Sequence, residues 1–157
     1  FKHIFIILFM FPKQHFLIGL VFSALFVTAF PQIGILGFLL ILASSVLIDV
    51  DHYLYYVHEE KNWSLKNAFK WFVIKHKEYL QLPKTERSKH RKLFFFLHGI
   101  EPLILLFILG YFFHTWFYYI LIGFAFHLFL DIVQIKKYQD SLYKLSVIYD
   151  WFRFKRD

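Results

Sequence analysis

The stretch Tyr118-Tyr-Ile-Leu-Ile-Gly-Phe-Ala-Phe-His127-Leu-Phe-Leu-Asp131 decides how this chain is read. It is apolar enough to span a membrane, yet it carries two ionisable side chains. On insertion scales a charged residue at the centre of a spanning helix costs about 2.5–3.5 kcal/mol. Four residues is close to one helical turn, so the imidazole of His127 and the carboxylate of Asp131 share a face, one above the other. A nitrogen and an oxygen donor stacked in this way make half of a metal site.

Working outward, four apolar stretches read as transmembrane helices, at about 14–30, 32–50, 93–113 and 116–136. The first two lie at the short end of the roughly 17–25 residues needed to span. Pro31 separates them. Residues 58–92 place Trp63, Leu65, Phe69, Phe72, Val73 and Tyr79 at helical spacing among Lys66, Lys70, Lys75 and Lys77. This is the pattern of an amphipathic helix with a basic face, and 141–154 repeats it. Residues 1–11 are too short to span and read as an interfacial segment or the tail of a trimmed helix. The expected fold is therefore all-α: one membrane domain over residues 1–157, with about four transmembrane helices and cytoplasmic interfacial helices.

Composition agrees. Of 157 residues 59% are hydrophobic and 24% aromatic, with 23 Phe, well above the usual globular mix. Cysteine is absent, which excludes disulfides and thiolate metal sites, so a transition-metal site must use carboxylates and some of the 9 His. The net charge of +7 suits membrane orientation and anionic lipid headgroups, not nucleic acid. No Gly-rich phosphate loop or Ser/Cys nucleophile motif is visible.

The basic residues orient the bundle. They gather between the second and third apolar stretches (Lys61 to Lys92), after the fourth (Lys136 to Arg156), and before the first at Lys2 and Lys13. The turns at Pro31-Gln32 and His114-Thr115 carry none. Four spans with both termini cytoplasmic satisfy the positive-inside rule throughout. His15, Asp49, Asp51, His52, His90, His98, Glu101, His127 and Asp131 then all fall toward the cytoplasmic side, contributed by all four helices. His and carboxylate donors suit zinc first, with manganese or iron as alternatives. Several of each would allow two adjacent divalent ions, the arrangement that clamps both oxygens of a phosphoester displacement. The expected metal ligands are His15, Asp49, His52, His90, His98, His127 and Asp131. Asp51 and Glu101 are expected as general base or supporting carboxylates, and Arg91 as a bidentate fork for a phosphate oxygen.

A His in the first helix, Asp49-x-Asp51-His52, His90-Arg91, His98, and His127-x-x-x-Asp131, in that order, resemble the YdjM-type membrane-bound metal-dependent hydrolases. That family is held to be distantly similar to zinc-dependent phospholipase C. The resemblance implies a metal-dependent hydrolase and implicates His15, Asp49, Asp51, His52, His90, Arg91, His98, His127 and Asp131. The chain departs from the family pattern at Ile48, where Pro is usual, and at Gly99, where Ser is usual. The expected substrate is a phosphoester at the membrane surface. Two other readings stand beside it: a non-catalytic accessory or scaffold subunit with protein partners in the membrane, and a metal or proton transporter. Transport needs polar groups along the whole path, whereas here they stop halfway.

Overall fold

A computed structural model describes residues 12–83, 86, 94–138 and 146–156, and the regular structure among them is helical. Helix α1 (Pro12–Ala29) leads through a 3₁₀ turn at Pro31–Ile33 into α2 (Gly34–Leu47) and α3 (Val50–Glu60). Then come α4 (Leu65–Gln81), α5 (Ile100–Phe112), α6 (Trp116–Tyr138) and α7 (Val147–Arg156). The expected interfacial stretch 1–11 lies outside the described residues, as do 141–145 of the C-terminal one.

Local chemistry sets the breaks. Pro31 cannot continue α1, and Gly34 sits at φ 65° and ψ −173°, a region essentially open to glycine alone. This turns α2 back along α1. Pro102 falls in the first turn of α5, where its missing N–H is harmless. A second reversal at 113–115 returns the chain as α6, whose Trp116 N–H donates to His114 Nδ1 at 3.2 Å.

α2 is the central helix, packed against both α1 and α6, and α6 packs in turn on α5. Small residues let the backbones approach, as in membrane helix pairs. Gly19 of α1 lies against Ser45 of α2, and Gly123 of α6 against Ser44 Oγ and the Ile41 carbonyl, leaving no room for a Cβ. The hydroxyls of Ser23, Ser44 and Ser45 bond carbonyls of their own helices, so they bring no unmet polar group into the packing. Outward, Leu17, Val21, Ile35, Leu39, Leu105 and Phe107 are exposed.

Two helical stretches, Pro31–Glu60 and Trp116–Gln134, are long and apolar enough to cross a membrane, while Gln14–Ala29 and Ile100–Phe112 are apolar but shorter. The first of these runs through α2 and α3 as one rod with a tightened turn. At that turn Asp49 N–H bonds the Val46 carbonyl at 3.3 Å and His52 N–H bonds the Asp49 carbonyl at 3.1 Å. These are i→i−3 bonds in place of the α-helical i→i−4.

Beyond the turn, α3 carries α4. Ser64 caps α4 by accepting from Asn67 N–H at 3.4 Å. Tyr56, Val57 and Ala68 form a buried cluster with Tyr53, Trp71 and Phe72 around it. Tyr53 Oη donates to the Trp63 carbonyl at 2.6 Å, and Trp71 Nε1 to Glu60 at 2.7 Å. Ala68, Trp71 and Phe72 are thus spent on α3, while Lys66, Lys70 and Lys77, which share one face of the helix, remain exposed.

Candidate metal centre

Each hairpin brings donors to the same end of the bundle. α1 begins with His15, the α2–α3 turn holds Asp49, Asp51 and His52, His98 immediately precedes α5, and the last turns of α6 hold His127 and Asp131. His127 is fully buried, Asp51 is 1% exposed and His15 3%. The carboxylates of Asp49 and Asp131 are 22% and 24% exposed, so the cluster opens on their side.

Four atoms form a ring of alternating nitrogen and oxygen. His98 Nε2 lies 3.4 Å from Asp49 Oδ1 and 3.6 Å from Asp131 Oδ2. His127 Nε2 lies 3.5 Å and 3.4 Å from the same two oxygens. The far side of each imidazole is fixed. His98 Nδ1 is 3.0 Å from Asp51 Oδ2, and His127 Nδ1 is 2.8 Å from the Ser45 carbonyl. Carboxylate and carbonyl oxygens only accept, so the Nδ1 atoms hold protons, and in the neutral rings this leaves the Nε2 lone pairs facing the ring. Both Nε2 atoms are buried with no hydrogen bond among the described residues.

Two neutral imidazoles and two carboxylates facing one another repel unless a cation joins them. Protonating both rings would draw each N–H···O contact to about 2.7–2.9 Å. The observed 3.4–3.6 Å is longer. Two ligands about 2.1 Å from one ion lie about 3.4 Å apart at the tetrahedral angle. A divalent ion would also cancel the two carboxylate charges, which a buried site requires. The residues present therefore fit a metal ion. The donors also fall into two trios, each with ligand atoms within 4.8 Å of one another: His15, His127 and Asp131, and Asp49, His52 and His98.

Asp51 supports the ring. Its Oδ2 accepts from His98 Nδ1 and from Leu97 N–H at 2.9 Å, and its Oδ1 takes His52 Nδ1 at 2.9 Å. Such carboxylate–histidine contacts fix the tautomer of a ligating imidazole. His52 is held between the face of Phe95, at 3.7 Å between ring centroids, and the edge of Phe72 at 5.8 Å. His15 stacks on His127 with centroids 4.0 Å apart.

Glu101 is placed differently. Its carboxylate accepts from Ser146 Oγ, from Val147 N–H at 2.8 Å and from Ile148 N–H at 3.2 Å, capping α7. His90 and Arg91 lie outside the described residues. Sequence reasoning did not find the Ser45 carbonyl or Phe95. The carbonyl is free because the tightened turn diverts Asp49 N–H, its normal helical partner, to Val46. No family model matches the chain, and no curated protein or solved structure is significantly similar to it.

Proposed function

We propose that the chain is a four-span membrane protein and a metal-dependent hydrolase of phosphoesters at the membrane surface, with both termini and the site on the cytoplasmic side. The observation that carries this reading is the ring of four donors at 3.4–3.6 Å, with two buried imidazole nitrogens aimed into it. Asp49, His98, His127 and Asp131 would hold the ion, zinc suiting this N/O set best, with manganese or iron able to take the same donors. When bound, such an ion supplies Lewis acidity and lowers the pKa of a coordinated water to about 7.

The chain's own residues supply the rest. His52 is 28% exposed at the rim of the cluster, and Asp51 holds its Nδ1 proton. That leaves Nε2 as the basic atom able to accept and return a proton. Asp51 orients both His52 and His98. The exposed lysines of α4, together with exposed Trp63, Phe69 and Ile74, suit a surface that gathers anionic headgroups. The resemblance to YdjM-type hydrolases, carried by the same His and Asp residues, suggests the same activity.

Four protein donors on one ion also characterise a structural metal, and this favours a second reading, a non-catalytic accessory subunit stabilised by its ion. The test is metal content with turnover. Protein purified in detergent is expected to carry stoichiometric metal that His127→Ala and Asp131→Ala lose, and to hydrolyse a chromogenic phosphodiester or a phospholipid. Metal-free wild type overturns the proposal. Loaded protein inert toward every phosphoester tried establishes the accessory reading.

A further inference from the structure

We infer that Asp131 bridges two metal ions and that His15 holds the second, an inference that rests on the reading of the donor ring as a metal site. The rings of His15 and His127 lie nearly parallel, 16° apart, at a centroid distance of 4.0 Å. Each directs its Nε2 to a different oxygen of the same carboxylate: His15 to Asp131 Oδ1 at 3.6 Å, His127 to Asp131 Oδ2 at 3.4 Å. A carboxylate that joins two ions presents its oxygens in this way, and ions so paired stand about 3.5–4 Å apart. The spacing of the stacked rings matches that separation.

A packing role for His15 does not account for these contacts. The ring is 3% exposed, and its Nδ1 has no hydrogen bond among the described residues. Its Nε2 stands beyond hydrogen-bond distance of Asp131. A buried imidazole whose Nδ1 has no hydrogen bond among the described residues and whose Nε2 meets Asp131 only at 3.6 Å is costly as mere filler; as a ligand, its Nε2 is used. The stack itself would otherwise set two imidazoles face to face over a carboxylate that bonds neither at normal length.

The two positions differ in completeness. The ring of His98, His127, Asp49 and Asp131 would offer one ion four protein donors. The second position receives His15 Nε2 and Asp131 Oδ1 from the described residues. Its remaining coordination would be completed by water or a phosphate oxygen, as a catalytic position requires. On this assignment the open position would meet substrate beside the ion held by the ring, the two sharing Asp131.

Zinc content per chain and the paramagnetic resonance spectrum of manganese-loaded protein test this without reference to activity. Wild type in detergent is expected to bind two zinc ions, and its manganese form to give the spectrum of an exchange-coupled pair. His15→Gln is expected to keep one zinc and show an isolated-ion manganese spectrum; the retained ion reports that the bundle is folded. One zinc in wild type with an uncoupled manganese spectrum overturns the second ion and leaves the donor ring standing. Two zinc ions in His15→Gln overturn the assignment to His15. No bound metal in wild type overturns the underlying metal reading as well.

Discussion

Asp51 reaches the ring of donors through the far side of His98, and it is nearly as buried as any of the described residues. Removing its charge while keeping its shape, in Asp51→Asn, is expected to weaken metal binding about 10–100-fold with little change in helicity; competition with a chromophoric chelator measures this. Ser45→Ala is expected to leave metal affinity unchanged, since His127 uses the Ser45 backbone and not its hydroxyl. Because the histidines must be neutral to ligate, metal affinity is expected to weaken as pH falls and protons compete for the imidazoles. Dialysis at stepped pH followed by metal analysis checks it; retention unchanged at pH 5 would count against imidazole ligands. At this scale much was legible. His127, Asp131, Asp49 and His98 stood out because ionisable groups in apolar helices are expensive. Glu101 stood out for the same reason, but its partners are Ser146 and the start of α7, more than forty residues away, and no local spacing encodes that.

The all-helical fold was readable from apolar length and from Pro31. The third apolar stretch, read as helix from about 93, is helical only from Ile100, and the contacts between helices were not readable. Gly123 looks unremarkable inside a run of large residues, yet it is where α6 meets the backbone of α2. Gly123→Val is expected to destabilise the bundle by about 1–3 kcal/mol through overpacking, seen as a lower melting temperature in detergent. An unchanged melting temperature would mean that α2 and α6 do not meet there. α4 shows the limit of amphipathic patterning: its periodicity is real, but the pattern does not say that Ala68, Trp71 and Phe72 cover α3 and not lipid. α7 depends on one carboxylate. Glu101→Gln weakens the charge-assisted bonds to the α7 N-terminus and is expected to speed limited tryptic cleavage within Val147–Arg156 several-fold. Equal rates would show that the contact does not hold the helix.

Across the whole molecule, the distribution of Lys and Arg would orient the proposed four spans with the donors on one side. Single cysteines introduced at Gln32 and Asn62 are expected to react with a membrane-impermeant thiol reagent from opposite faces of sealed vesicles; labelling from the same face would refute the orientation. The donors are also divided between halves of the chain. The α1–α2 hairpin with its α3 extension supplies His15, Asp49, Asp51 and His52, and the α5–α6 hairpin supplies His98, His127 and Asp131. In the proposed membrane topology the first half would enter the bilayer while the second is still being translated. At ordinary elongation rates this interval is on the order of ten seconds, and throughout it the two aspartates lack their partners from α5 and α6. A nascent chain halted after residue 83 thus displays the polar signature that membrane quality control recognises, and is expected to be degraded far faster than the full chain. The arrangement that neutralises the cluster in the finished bundle makes every incomplete copy conspicuous.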